Sequence, residues 1–190
     1  MDREELEKNK TQEKEYSLKR EIISTILYLL VVVALTFLFV RYVGQRTHVN
    51  GSSMNVTLED GDNLIVDKIS YRFKDPERFD IIVFPYQYKE DTYYIKRIIG
   101  LPGETVQVID GMVYIDGELL DESYGKEVMN SAGVALNPIE LGEDEYFVLG
   151  DNRSESYDSR NEDMGCIRSE NFLGYVRAIV WPPERIGFID

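Results

Sequence analysis

The segment 50–58 contains serine side chains that could act as nucleophiles. Its centre, Gly51-Ser52-Ser53, is equally typical of a flexible turn, so the residue types alone do not predict catalysis here. His48, the single histidine of the chain, precedes Ser53 by five residues. That separation does not ensure contact, so a Ser–His–Asp triad has one weak candidate for its base.

A second segment, 93–104, places Lys96 in a run of residues typical of a β-strand. Side chains alternate across a strand, so Lys96 shares a face with Tyr94 and Ile98. Burial between such neighbours disfavours the ammonium form and lowers the lysine pKa toward the range of a general base. A charged residue that protects an edge strand from aggregation explains the same pattern. Arg97 is excluded as a base because its guanidinium stays protonated.

The third segment, 150–160, is a dense series of small polar residues after a predicted strand, 146–149. Asp158 and Arg160 can form an ion pair that braces this loop. The alternative is a solvated loop with a surface ion pair of little energetic weight. One Cys and one His exclude an intramolecular disulfide and any site built from several cysteines or imidazoles.

The elements that must position these residues begin with an apolar stretch, 22–40. It has nineteen residues without a charge. As a helix it is roughly 28 Å long, about the thickness of a hydrocarbon core. A buried helix would show a polar face, and a cleavable signal peptide would be shorter and followed by small residues. Arg41 and Tyr42 follow instead, so the stretch is predicted to be an uncleaved transmembrane helix.

Basic residues that flank this stretch predict its orientation. Six Lys and Arg precede it, against Arg41 and Arg46 in the twenty residues beyond, so the N-terminus is expected in the cytoplasm. We predict a charged cytoplasmic tail (1–21), a single-pass transmembrane helix (22–40) and an extracytoplasmic domain (41–190). The tail is compatible with a short helix or with disorder. The domain carries −13 of the total charge of −14, which argues against nucleic-acid binding.

Residues 41–190 are predicted to be mainly β-structure. The Asp-Gly pair at 110–111 favours a type I′ hairpin, and a second Asp-Gly at 116–117 extends it as a meander. Residues 121–144 mix glycine, asparagine, proline and charge, so we expect a long surface excursion there. Short strands over about 150 residues suit one antiparallel β-sandwich or barrel-like domain. The predicted strands are 63–69, 79–84, 93–99, 105–109, 112–115, 146–149 and 174–181.

In this order behind an N-terminal anchor, the three segments resemble type I signal peptidases of the Gram-positive kind. These are membrane-bound serine proteases that remove signal peptides from exported proteins. The Ser-Met and Thr-Leu pairs at 53–54 and 57–58 are similar to that family's nucleophile segment. Lys-Arg at 96–97 with Gly-Leu-Pro-Gly-Glu at 100–104 is similar to its general-base strand, and 150–160 to its supporting loop. The resemblance covers nearly the whole chain.

The resemblance implies a Ser/Lys dyad that needs no cofactor. Ser53 Oγ would attack the scissile carbonyl after neutral Lys96 takes its proton. Backbone N–H groups near Ser53 would form the oxyanion hole. By family position, Ser156 would hydrogen-bond Lys96 and orient it. Asp158 and Arg160 would hold the loop in place as structural support.

Two positions depart from the family pattern. Val56 stands where the pattern Ser-Met-x-Pro-Thr-Leu has proline, which removes some rigidity beside the nucleophile but no catalytic group. Gly51 stands where some members have a serine that contributes to the oxyanion hole, so a hole built from the backbone alone is expected. Lys96 separates the chain from relatives that have histidine at that position.

The resemblance also implies substrate and partners. An extended signal peptide can add as a strand to an exposed sheet edge. The family implies small pockets for the first and third residues before the cut, which select Ala-x-Ala-like sites. Expected partners are preprotein signal peptides, membrane lipid and, by proximity, the secretion translocon, with no nucleic acid and no metal.

Three alternatives to a general signal peptidase stay open. One is a non-catalytic, membrane-anchored β-domain binding module of the same family, which the replacement at Val56 leaves open and the intact Ser53 and Lys96 oppose. Another is an anchored protease with a dedicated substrate, because the motifs specify the reaction and not the set of substrates. A soluble, self-cleaving repressor-type Ser/Lys protease is disfavoured by the anchor.

Overall fold

The N-terminal unit of the computed structural model is a single helix. The structure describes residues 3–42, 44–86, 92–125 and 128–189, in two compact units that meet in sequence between residues 43 and 44. Helix α1 (Arg3–Tyr42) includes Leu18–Leu38, with a mean hydropathy of 2.4 over 21 residues. This apolar part is long enough to cross a membrane and fits a membrane anchor. The tail is helical from Arg3, so helix rather than disorder is the form observed.

The second unit is built from antiparallel strands in two sheets. The larger sheet has the strand order β1-β2-β11-β3-β4-β9-β10, with β12 beside β11, and the smaller sheet has the order β7-β6-β5-β8. The strands are β1 (Gly44–His48), β2 (Asn63–Asp67), β3 (Ile81–Pro85), β4 (Tyr93–Gly100), β5 (Thr105–Ile109), β6 (Met112–Ile115), β7 (Glu118–Leu119), β8 (Ile139–Glu140), β9 (Glu145–Leu149), β10 (Ile167–Arg168), β11 (Gly174–Trp181) and β12 (Gly187–Phe188). The prediction of a mainly antiparallel β-domain is confirmed.

The strand that carries Lys96 lies inside the larger sheet. In β4, Lys96 is opposite Ile82 of β3, and Arg97 is opposite Leu149 of β9. Both β4 residues are almost completely buried, with 1% of Lys96 and none of Arg97 exposed. The alternative of a charged residue guarding an edge strand is therefore wrong.

The smaller sheet contains the predicted hairpin. Strands β5 and β6 pair from Val106 opposite Ile115 to Ile109 opposite Met112. At the turn, Asp110 has φ 50° and the following glycine has φ 76°, the two positive angles of a type I′ turn. The second Asp-Gly pair leads into β7, so the predicted meander is also confirmed.

Three hydrophobic clusters stabilise the β-unit, and β4 contributes to all of them. Ile99 packs with β5, β6 and β9 residues in the first cluster. Ile95 packs against a second cluster that includes Met54 and Leu58. Ile98 lies in a third cluster, with Tyr94 against it. These contacts hold β4 by packing on both of its faces. Apolar burial of this kind contributes about 25 cal/mol per Å² to stability.

The prediction of a surface excursion at 121–144 needs correction. Met129, Ala135 and Leu141 are buried in the core beneath the smaller sheet. The segment also contains a short 3-10 helix, Gly133–Leu136, and the strand β8. Its apolar residues are too far apart for a periodic pattern, so their burial follows from tertiary packing.

Candidate active site

The segment 50–58, the candidate nucleophile turn, is fixed by its apolar residues. Met54 and Leu58 are buried, and the Leu58 N–H donates to the Met54 carbonyl oxygen at 2.9 Å. On the other side of Ser53, the Gly51 N–H donates to Asp60 Oδ1 at 2.8 Å. Gly51 has φ +102°, a conformation that other residues rarely adopt. These contacts hold Ser53, which is half-buried, at a defined place between them.

The structure brings Ser53 and Lys96, the candidate dyad, into contact. Ser53 Oγ and Lys96 Nζ lie 2.7 Å apart, although the two residues are separated by 43 positions in the chain. This is the distance that a nucleophile and its base require. The pair joins the turn before β2 to the middle of β4.

Burial lowers the pKa of Lys96 from 10.5 to about 8. The largest cause is desolvation of the ammonium group, and the positive charge of Arg160 acts in the same direction. The carboxylates of Asp158 and Asp151 act in the opposite direction, because they favour the charged amine. The Tyr94 ring, with its centroid 5.3 Å from Nζ, also favours the cation. Desolvation dominates, so a substantial neutral fraction exists at mildly alkaline pH.

The loop 150–160 is braced by a buried ion pair. Arg160 Nε donates to Asp158 Oδ1 at 2.8 Å, and Arg160 also donates to the Arg153 carbonyl oxygen at 2.7 Å. Asp158 in turn accepts from the Gly150 N–H at 3.1 Å. Asp158 is fully buried and Arg160 nearly so, so the alternative of a solvated surface pair is wrong.

The same loop is bonded directly to the nucleophile turn. The Asn152 N–H donates to the Ser53 carbonyl oxygen at 3.1 Å, and Asn152 Nδ2 donates to the Ser52 carbonyl oxygen at 3.2 Å. Gly150 lies so close that a Cβ there would overlap Ser156 Oγ and the Ser53 carbonyl oxygen. Glycine is therefore required at 150 by close packing against the nucleophile.

The predicted hydrogen bond between Ser156 and Lys96 is not formed in this structure. Ser156 Oγ is buried and has no hydrogen-bond partner among the residues that the structure describes. Its place beside Gly150 and the Ser53 backbone nevertheless puts it next to the dyad. Leaving a buried hydroxyl without a hydrogen bond costs free energy, so this group is available to a new partner.

Sequence reasoning missed a second buried ion pair beside the dyad. Arg97 donates from Nε to Asp151 Oδ1 at 2.8 Å and from its terminal nitrogen to Oδ2 at 2.7 Å. The guanidinium also stacks on the Tyr124 ring, 3.5 Å from its centroid, and Thr57 Oγ1 donates to Asp151. The pair connects the base strand, the loop and the nucleophile turn. Arg97 follows Lys96 directly, but nothing in the sequence shows which carboxylate it meets.

A cleft of about 590 Å³ opens over the dyad. It is lined by the nucleophile turn, by β4 from Tyr93 to Lys96, and by Glu155 and Tyr157 of the loop. His48 also lines it, but within the described residues no hydrogen bond joins this imidazole to Ser53. Val56 is exposed, and the Asn55–Val56 peptide bond is cis. In the part of the chain that the structure describes, no cluster of His, Cys, Asp or Glu is arranged to hold a metal ion.

The arrangement has the parts of a serine hydrolase: a hydroxyl, a buried amine in contact with it, and a cleft over both. The family model "Signal peptidase, peptidase S26" matches residues 20–181 of the chain. "Signal peptidase I" of Bacillus licheniformis is 35% identical over 187 residues, which covers 95% of this chain and all of that protein. "Probable signal peptidase I-2" of Synechocystis sp. is 40% identical over 153 residues, covering 78% of this chain and 68% of that protein.

A crystal structure of a signal peptidase I from Enterococcus faecalis V583 has 36% sequence identity to this chain and a TM-score of 0.45. The match covers 54% of this chain and 97% of that chain. The match to the family model and the identities with the two relatives cover most of the sequence. The chain therefore belongs to the signal peptidase family, peptidase S26, and is a serine endopeptidase of the signal peptidase I type.

Proposed function

We propose that this peptidase removes signal peptides from exported preproteins by cutting after small residues, with Ser53 as nucleophile and neutral Lys96 as general base. The observation that carries the proposal is the 2.7 Å contact between Ser53 Oγ and a lysine Nζ that is almost completely buried. Burial supplies the neutral amine and the contact supplies the proton-transfer path.

The chemistry follows from these two groups. Neutral Lys96 takes the hydroxyl proton as Ser53 Oγ attacks the scissile carbonyl carbon. The tetrahedral intermediate collapses to an acyl-enzyme, and the Lys96 ammonium gives the proton to the leaving amine. Water then attacks the ester with Lys96 again as base, which releases the signal peptide and restores Ser53.

The oxyanion that forms in each step needs N–H donors. The Gly51 N–H already donates to Asp60, so it is not the donor. The backbone N–H of Ser53 itself is our candidate, in keeping with a hole built from the backbone. When Ser53 Oγ is acylated, Lys96 loses its contact with the free hydroxyl. The unpaired Ser156 Oγ beside them is then the candidate partner that holds Lys96 in place.

Substrate binding follows from the edge that β4 presents to the cleft. Residues Tyr93 to Ile95 pair with β3, whereas pairing with β9 begins at Arg97. Their other edge thus has no partner among the described strands. An extended peptide that adds along this edge would gain main-chain hydrogen bonds and pass over Ser53. Small side chains before the cut would suit pockets in the cleft, as in the family.

We further propose that the apolar helix anchors the protein once in the cell membrane, with the N-terminus in the cytoplasm and the β-unit outside. The excess of basic residues before the helix supports this orientation. Preproteins that emerge from the translocon would then be the partners, together with membrane lipid, and neither metal nor nucleic acid takes part.

The experiment is cleavage of a preprotein by the detergent-solubilised full chain, with the new N-terminus mapped by mass spectrometry. We expect a single cut after a small residue by the wild type and none by Ser53→Ala or Lys96→Ala. His48→Ala is the matched control and should cut at the same bond. Unchanged cleavage by Lys96→Ala would eliminate the dyad, and binding without cleavage by the wild type would favour the binding-module alternative.

A further inference from the structure

A carboxylate lies in the cleft beside the nucleophile. Glu155 is exposed and lines the same cleft as Ser52 and Ser53. Ser52 Oγ donates to Glu155 Oε2 at 2.9 Å, and Asn152 Nδ2 donates to the same oxygen at 3.4 Å. Ser52 is the chain neighbour of Ser53, so these bonds hold the negative charge of Glu155 close to the proposed nucleophile.

Within the described lining of the cleft, no lysine, arginine or histidine side chain forms a hydrogen bond or ion pair with Glu155. The two groups that bond Glu155 are a hydroxyl and an amide, which are neutral donors. Lys96 is buried with its Nζ in contact with Ser53, and the carboxylates that act on its charge are Asp158 and Asp151. Among the described lining residues Glu155 is also the sole carboxylate. The charge is therefore open to a group that the substrate brings.

We infer that Glu155 is a specificity-determining residue that favours preproteins with a lysine or arginine at the second residue before the scissile bond or at one of the two residues after it. The inference rests on the proposed function and deepens it. An extended peptide advances roughly 3.3 Å per residue, so a side chain one or two residues from the cut lies beside Ser52. Lys and Arg are long enough to reach an exposed carboxylate there, and Arg can bind it in a bidentate manner.

A purely positional role for Glu155 makes a different prediction. If its contribution were only to hold the Ser52 hydroxyl, then glutamine, which keeps an oxygen acceptor of the same reach, would serve equally well. A charge-based role is lost in Glu155→Gln while the hydrogen bond to Ser52 is kept. This substitution therefore separates selection by charge from positioning.

The experiment measures kcat/KM for peptides that differ at one position. In each set, Lys, Gln or Glu replaces the second residue before the cut or one of the two residues after it, while the residue just before the cut stays small. For the wild type at low ionic strength we expect a preference for Lys over Glu of about five-fold at one of these positions, as for an exposed ion pair. Added salt should weaken the preference. In Glu155→Gln the Lys-to-Glu ratio should fall to about one.

The matched control is Glu118→Gln. Glu118 is an exposed residue of β7 in the smaller sheet, so its substitution changes the net charge equally without touching the cleft. Its Lys-to-Glu ratio should equal that of the wild type. A Lys-to-Glu ratio of one at every position in the wild type, or an unchanged ratio in Glu155→Gln, would overturn the inference about Glu155 but not the proposed function. A wild type that cuts no peptide would overturn the proposed function as well.

Discussion

The pH dependence of cleavage gives the sharpest test of Lys96 as the base. In the proposed mechanism the reactive form is the neutral amine, and burial lowers the pKa of Lys96 to about 8. The neutral fraction is then about a tenth at pH 7, half at pH 8 and nine-tenths at pH 9. We expect kcat/KM to rise about ten-fold between pH 7 and pH 9 and to level off above.

An ordinary lysine would behave differently over the same interval. With a pKa of 10.5, the neutral fraction would grow about a hundred-fold between pH 7 and pH 9 and would continue to rise beyond. The assay is the initial rate of preprotein cleavage at substrate concentrations below KM, at constant ionic strength, with enzyme stability checked at each pH. The slope and the plateau together separate a buried from an exposed base.

His48 is the control for this profile, because it lines the cleft and its imidazole is the other candidate base there. His48→Ala should leave the midpoint of the wild-type profile in place. A rate independent of pH, or a midpoint that disappears in His48→Ala, would refute Lys96 as the base. A midpoint near that of free lysine would refute the argument that burial sets its pKa.

Three further predictions concern stability and packing. Lys96→Met should abolish cleavage yet raise the free energy of unfolding by up to about 3 kcal/mol below about pH 8, because the variant no longer buries an amine that is protonated in the unfolded state. The absence of a stability gain in chemical denaturation would contradict this. Arg97→Met should lower stability by about 3–5 kcal/mol, since Asp151 keeps its hydrogen bond from Thr57 but is left buried without a counter-ion. An unchanged thermal midpoint would oppose it. Gly150→Ala should greatly reduce kcat, because its Cβ overlaps the nucleophile residue, whereas Gly187→Ala, which meets nothing within 4 Å, should cleave normally. Equal activity of the two glycine variants would contradict the packing argument.

The strands of the β-unit were largely predictable from local pattern. Three predicted strands have the observed bounds, and the other four differ by at most two residues at an end. The strand β1 was missed because Gly44–His48 has no apolar alternation and becomes a strand only by pairing with β2. The burial of Met129 and Leu141 was missed for the same reason, since each is an isolated apolar residue that tertiary packing covers.

For the candidate site, the sequence indicated the residue types but not their contacts. The resemblance selected Ser53 and Lys96, and the structure shows the two side chains in contact. It also led us to expect a bond between Ser156 and Lys96 that the structure does not have. The pairing of Arg97 with Asp151 joins residues 54 positions apart, and no local pattern encodes which carboxylate a buried arginine meets.

The membership of β4 in all three hydrophobic clusters has a consequence for how the enzyme loses activity. Lys96 lies between Ile95 and Ile98, which pack in different clusters, so the base cannot move out of place while both clusters stay intact. Catalytic competence is thus tied to the cooperative unit of the domain rather than to a segment that opens by itself. The backbone amides of Arg97 and Ile98, where β4 is paired on both edges, should exchange with solvent only through global unfolding. Thermal inactivation should coincide with the loss of tertiary structure.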